Sequence, residues 1–150
     1  MAVQRAQPYS NRHFLVDLGT GNNTGPEAAF SEVIIPGISI DVIEYRTGGD
    51  KENSVRKVPG LAKNGDVTLK RGIIGSLNLY QWINDVRNGD VNAHRTVTIQ
   101  LLSEDLTTVA MTWKLLRAWP VKYTGPTLDA KGTDVAMEEL VLAYERLEME

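Results

Sequence analysis

The feature that most constrains the fold is a pair of alternating segments in the second half of the chain. From Thr96 to Leu101, Val97, Ile99 and Leu101 fall on one parity, and Thr96, Thr98 and Gln100 on the other. Successive side chains of an extended strand point to opposite faces, so this pattern predicts a half-buried strand. From Thr107 to Trp119 the same period returns. Val109, Met111, Trp113, Leu115 and Trp119 share one face, interrupted by Arg117, and Thr108, Ala110, Thr112 and Lys114 the opposite one. Ser103-Glu104-Asp105 supplies a turn, so the two segments read as an antiparallel hairpin. At about 3.4 Å per residue the second strand would span roughly 44 Å, against a usual strand of about five or six residues. A strand that long is expected to bend or to cross between sheets.

Shorter strands are predicted at His13–Leu18, Phe30–Ile35, Ile38–Tyr45 and Asp66–Arg71, set apart by Gly, Asn and Pro clusters. The third changes face midway: Ile38, Ile40 and Val42 alternate on one side, then Ile43 and Tyr45 take the other, which suggests a bulge or twist. Gly19–Pro26 reads as a polar turn. Thr47–Pro59 is rich in Gly, Asp, Lys and Arg and nearly devoid of large apolar groups, so it is expected to project from the domain. One helix is predicted, with Ser76 as N-cap, Leu79, Ile83 and Val86 on its apolar face, Trp82 beside them and Asn88-Gly89 as the stop. Val135–Met149 is ambiguous, because Met137, Leu140, Val141, Tyr144 and Leu147 also make a helical stripe.

At 150 residues the chain matches one domain with one core. Its 42% hydrophobic and 23% charged residues are ordinary for a soluble globular protein. No apolar run approaches the roughly 18 residues of a bilayer span, and Met1–Asn11 lacks the apolar stretch of a secretory signal. Synthesis in the bacterial cytoplasm without a signal peptide is the expectation. The sequence contains no cysteine, so disulfides, thiolate metal sites and cysteine nucleophiles are excluded. A net charge of -3 with both signs interspersed gives no basic footprint for nucleic acid. Protein partners are expected instead.

The motifs for chemistry are weak. His13 and His94 stand apart with no ligand spacing around them, and Gly48-Gly49 lacks the Lys-Ser or Lys-Thr and the helix of a phosphate loop. No serine sits in a nucleophile elbow. Glu138, Glu139, Glu145, Glu148 and Glu150 could supply a general acid and base, but a solvated face or an acidic patch against a neighbour is the favoured reading. Trp82, Trp113 and Trp119 could form a stacking platform. Trp113 and Trp119 share the core parity of their strand, so core packing is favoured for them, whereas Trp82 could support a subunit contact. No catalytic, cofactor-binding or metal-binding residue is assigned, and no cofactor.

An ordered series of segments then resembles a known family. It runs through Val42-Ile43-Glu44-Tyr45-Arg46 with Gly48-Gly49, Arg56-Lys57-Val58-Pro59-Gly60, Val67-Thr68-Leu69-Lys70-Arg71-Gly72, and a helix with Trp82-Ile83. The hairpin with Trp113 follows, then Ala118-Trp119-Pro120-Val121-Lys122-Tyr123 with Gly125-Pro126, and finally Asp134-Val135-Ala136-Met137-Glu138-Glu139-Leu140. These resemble the tail tube proteins of contractile phages and the inner-tube proteins of extracellular contractile injection systems. The chain departs from that pattern in a longer insert at Gly19–Pro26 and in Tyr144-Glu145-Arg146, where His-Glu-Gly often stands.

The resemblance implies a mainly β fold, an antiparallel β-sandwich or barrel with one flanking α-helix, whose copies form hexameric rings that stack into a hollow tube inside a sheath. It implies that the last segment is a strand. It further implies that residues 1–150 form a single tail-tube domain with a projecting loop at about 47–60. The candidate ring-stacking residues are Asp50, Lys51, Glu52, Arg56 and Lys57, whose charges would set register more than affinity. The implied partners are the chain itself, the sheath protein, baseplate or hub and tube-terminating proteins, and cargo in the lumen, effector protein or DNA. The assembled particle, virion tail or injection system, is the implied destination. Two other readings stand beside this one: a β-sandwich module binding carbohydrate or protein through its tryptophans, and an acid-base hydrolase using Glu138 and Glu145.

Overall fold

The computed structural model describes every residue except 22–24, 50, 52 and 53. Among the described residues nine strands and one α-helix follow in the order β1 (Phe14–Asp17), β2 (Glu32–Ile34), β3 (Ile38–Tyr45), β4 (Arg56–Asn64), β5 (Val67–Gly72), α1 (Asn78–Arg87), β6 (Arg95–Leu102), β7 (Val109–Thr124), β8 (Met137–Ala143) and β9 (Arg146–Met149). The strands are antiparallel, in the order β1-β6-β7-β8-β5-β2, with β9 also on β7 and β3-β4 forming a separate two-stranded ribbon. The last segment is extended, as the resemblance implied, because β8 is zipped between β5 and β7. Its helical stripe never forms, and Leu140 and Leu142 instead alternate into the core.

The long strand explains the shape. β7 runs for 16 residues. Its first part pairs with β6 and β9, and from Trp119 onward with β8. One strand thus belongs to two sheets, β1-β6-β7-β9 and β7-β8-β5-β2, and the crossing lies at Arg117. That residue has a left-handed φ of 54°. Beside it the register slips, because Arg95 and Val97 oppose Ala118 and Leu115, so β7 holds an extra residue there. A bulge of this kind bends a strand and reverses the faces beyond it.

The parity expected from the sequence therefore holds only up to the bulge. Met111, Trp113 and Leu115 oppose Leu101, Ile99 and Val97, and Leu115 is fully buried. Past Arg117 the inward residues are Ala118 and Pro120, both buried, and Trp119 falls on the other face, half-buried with its ring edge against His94. Ala110 and Thr112, expected outside, are also buried. Between the sheets lie Val16, Val67, Leu69, Val97, Ile99, Leu115, Leu140 and Leu142, all at 2% exposure or less. At about 1.5–3 kcal/mol for each such side chain, this layer is the main stabilising term.

Helix α1 packs on β7 through Leu79, Trp82 and Val86. Trp82 is the centre of that stripe, 1% exposed, and its indole N–H donates to the Ala93 carbonyl at 2.7 Å. The Arg95 guanidinium lies 4.7 Å from its ring. The sequence reading of Trp82 as a surface contact is thus corrected. The N-cap is Leu77, one residue later than expected. Ser76 still serves the first turn, since its hydroxyl accepts from the Asn78 N–H at 3.3 Å. Gly89, at φ 82°, ends the helix as expected.

Candidate assembly surface

The segment expected to project is a β-ribbon. All eight residues of β3 are exposed, and β4 is exposed except for Gly60 and Asn64, which are partly covered. Ile38 pairs with Asn64, Ile40 with Ala62, Val42 with Pro59 and Ile43 with Val58. The face change read from the sequence is real. Between Ile40 and Val42 the register shifts, with three β4 steps, from Ala62 to Pro59, against two on β3. The extra residue lies at Gly60-Leu61. A Cβ on Gly60 would stand 3.0 Å from the Asp41 carbonyl oxygen, so a glycine lets the backbones approach at this bulge.

The loop predicted at about 47–60 is shorter than expected. The strands run to Tyr45 and resume at Arg56, because Tyr45 pairs with Arg56 and Glu44 with Lys57. Of the candidate stacking residues, Arg56 and Lys57 are therefore strand residues near the ribbon tip, Lys51 is an exposed tip residue, and Asp50 and Glu52 lie outside the described residues. The sequence reading missed the apolar character of the surface. Ile38, Ile40, Val42, Ile43, Tyr45 and Leu61 are each at least half exposed. The signal was present in the strand pattern, since Ile38, Ile40 and Val42 on one side and Ile43 and Tyr45 on the other put apolar groups on both faces of this strand.

A two-stranded ribbon alone is marginal in water, and an apolar surface of this extent marks an interaction site. The base is fixed. Asn64 donates to the Glu145 carbonyl at 3.1 Å, and Gly65 packs so tightly on Pro36 that an added Cβ would sit 2.7 Å from the proline Cβ. What emerges is an anchored arm whose apolar side chains, paired only across the ribbon among the described residues, remain half exposed or more.

A profile of T4-like virus tail tube protein gp19 matches residues 10–148. The chain belongs to this tail tube family. Among solved structures, it is 31% identical to a chain of the sheath-tube complex of an extracellular contractile injection system, PVC, in the extended state. The match covers 97% of this chain and 93% of that one, with a TM-score of 0.83. It is 28% identical to a chain of the anti-feeding prophage tube-terminating cap, covering 100% and 94% with a TM-score of 0.83. A chain of the six-fold symmetrised anti-feeding prophage baseplate is 25% identical, covering 97% of each, with a TM-score of 0.81. No curated protein sequence matches.

The tail tube fold also places the groups that competing readings used. Glu138 is 5% exposed and held by Arg71 and by the Tyr123 hydroxyl. Glu145 lies beyond the other end of β8, exposed, with its carboxylate 3.0 Å from Arg117. The two carboxylates do not face each other across a cleft. Trp82 is in the core, Trp113 packs against it from the inner face, and Trp119 is on the outer face of β7. They do not form a common stacking surface. His13 and His94 immediately precede separate strands, β1 and β6, and among the described residues no three His, Asp or Glu side chains gather as a metal set. Among the same residues no helix is long and apolar enough to cross a membrane.

Proposed function

We propose that the chain is the repeating structural subunit of the inner tube of a contractile particle, forming hexameric rings that stack into a hollow tube within a sheath. The single observation that carries this is the apolar arm on a domain whose whole length matches tube proteins. An unpartnered ribbon is costly in a monomer and is stabilised once a neighbour covers it. Partners follow from the relatives: sheath, tube-terminating cap and baseplate proteins surround or end the tubes that resemble this one. Effector protein or DNA is the proposed cargo, and the subunit has no catalytic part in delivering it. After synthesis in the bacterial cytoplasm it is built into the assembled particle.

The arm tip, with Lys51, Arg56 and Lys57 and the neighbouring Asp50 and Glu52, is proposed to set register between rings, and the apolar stem to supply affinity. Light scattering and negative-stain microscopy of the purified protein, alone and with its sheath and baseplate proteins, test this reading. Rings or tubes with a central hole are expected. A strictly monomeric species in both settings would overturn it. Deleting Asp50–Val55 is expected to leave the fold intact and shorten tubes, and wild-type tube lengths in that variant would refute the role of the tip.

A further inference from the structure

Nearly the same short sequence occurs twice in the chain, and the fold gives the two copies opposite surroundings. Lys63-Asn64-Gly65-Asp66-Val67 and Arg87-Asn88-Gly89-Asp90-Val91 differ only in their first, basic residue, and they hold the two Asn-Gly steps of the sequence. The first copy is locked. Asn64 closes β4 opposite Ile38, and its side-chain amide donates to the Glu145 carbonyl at 3.1 Å. Gly65 is pressed on Pro36, and Val67, opposite Leu142, is fully buried. The second copy is open. Asn88 is the C-cap of α1, and Asn88, Gly89 and Asp90 are exposed, with Val91 at 81%. Among the described residues the Asn88 carboxamide makes no hydrogen bond, and apart from chain neighbours nothing lies within 4 Å of where a Gly89 Cβ would stand.

We propose that Asn88 is a site of spontaneous deamidation in the folded chain, and that Asn64 is held out of the same reaction. The inference is independent of the tube reading. In an Asn-Gly step the glycine amide nitrogen, having lost its proton, bonds to the asparagine Cγ; the Cγ–Nδ2 bond breaks and ammonia leaves. Water then opens the resulting succinimide at either carbonyl, giving aspartate or isoaspartate. The asparagine backbone must rotate for the attack, and glycine puts no Cβ in its way. At Asn88 that rotation breaks only last-turn bonds, from Asn88 N–H to the Asn84 carbonyl at 3.0 Å and from Gly89 N–H to the Val86 carbonyl at 3.1 Å. Local opening costs little at such a helix end. At Asn64 it would break the pairing with Ile38 and displace Gly65 from Pro36. Each event adds one negative charge to a chain of net charge -3. The new carboxylate stands at the negative end of α1, close in sequence to Asp85 and Asp90, where the helix dipole opposes it. It also strains the turn that holds Trp82, because Ala93 N–H donates to the Asp90 carbonyl at 3.3 Å and the Ala93 carbonyl accepts from the indole.

The two copies are each other's control. The purified protein is incubated in mildly alkaline buffer, folded or in urea, and peptides covering both sites are followed by mass spectrometry for the gain of one mass unit. In urea the two sites are expected to react at similar rates. In the folded protein Asn88 should react at least about tenfold faster than Asn64, the ratio that ~1.4 kcal/mol of extra opening free energy gives. Equal rates in the folded protein, a faster Asn64, or an Asn88 left unmodified while the unfolded chain reacts would overturn the assignment. Rates that differ as much in urea as in the fold would overturn it as well, since the cause would then be sequence and not structure. The modified fraction, separated by ion exchange, should unfold about 2–4 °C below the unmodified one. Asn88→Gln, whose longer side chain closes the ring poorly, should neither gain mass at that residue nor lose stability on incubation. An unchanged midpoint in the modified fraction would overturn the coupling to the Trp82 turn.

Discussion

Arg71 and Glu138 oppose each other across β5 and β8 and are buried together, at 1% and 5% exposure. The guanidinium donates to one carboxylate oxygen from Nε at 2.9 Å and from Nη2 at 2.5 Å. Nη1 reaches the Glu27 carbonyl at 2.8 Å and Nη2 the Asn78 side chain at 2.9 Å, while the Tyr123 hydroxyl donates to the other carboxylate oxygen at 2.6 Å. One cation thereby ties β5, β8, the start of α1 and the turn at Pro26–Ala28, with β7 joined through Tyr123. A buried pair is weak evidence of net stabilisation, but breaking one side leaves an uncompensated charge.

Arg71→Met is accordingly expected to cost about 3–5 kcal/mol in unfolding free energy, read from urea transitions of dissociated subunits. The double variant Arg71→Met with Glu138→Leu should recover most of that loss. Equal destabilisation of the single and double variants would show that the orphaned carboxylate is not the cause.

Tyr123 extends the network to high pH. Its hydroxyl is pushed up to about 12, first by the hydrogen bond to Glu138 and then by burial. A phenol raised in the folded state contributes stability that is complete below its ordinary value of about 10 and is lost as pH climbs from there through about 12. Stability measured between pH 9 and 12 should fall over that window. Tyr123→Phe should be less stable at pH 9 and show a shallower fall.

The N-terminal segment responds at the acid end. Arg5 holds both Glu104 oxygens at 2.8 Å and lies 3.7 Å from the Tyr9 ring. The Glu104 carboxyl is held down at about 2, chiefly by the Arg5 hydrogen bond. A depressed carboxylate contributes stability above its ordinary range, lost as pH falls from about 4.5 toward 2. Amide exchange at Val3, whose N–H donates to Ala110, should accelerate over that window once corrected for the intrinsic rate. Glu104→Gln should show the fast rate already at pH 7.

Trp82→Phe removes the donor to Ala93 and shrinks a fully buried ring, so a loss of about 1–3 kcal/mol is expected in thermal or urea unfolding. Trp119→Phe, at a half-buried outer position, should cost less. The reverse order would mean that the outer face of β7 is a structural contact.

Gly65→Ala tests the arm's anchor. Its new Cβ would lie 2.7 Å from Pro36, so the arm base must shift while the sandwich core is untouched. Subunit stability within about 1 kcal/mol of wild type, with shortened tubes in micrographs, is the expected pair of results.

Much of this was legible in the residues, because alternation over β6 and β7 depends only on which side chains face the core. The limit was the bulge at Arg117. An inserted residue reverses parity while the apolar alternation carries on in the sequence, so Trp113 was read correctly and Trp119 was not. Arg117 itself was the visible sign, a charge where the pattern wanted an apolar group. The arm failed differently. Periodicity shows that Ile38, Ile40 and Val42 share a face, but whether that face meets its own core or a neighbour's is fixed by assembly. The Arg71–Glu138 pair was unreadable in the sequence, since its partners are 67 residues apart and a charged residue in a strand is ordinarily solvated.

The strand shared by both sheets has a mechanical consequence. When a tube is pushed along its axis, force entering one sheet must pass to the other. In a sandwich joined by loops that load would fall on the connections. Here β7 is hydrogen-bonded to β6 and β9 on one side of Arg117 and to β8 on the other, so the load passes as shear along continuous backbone.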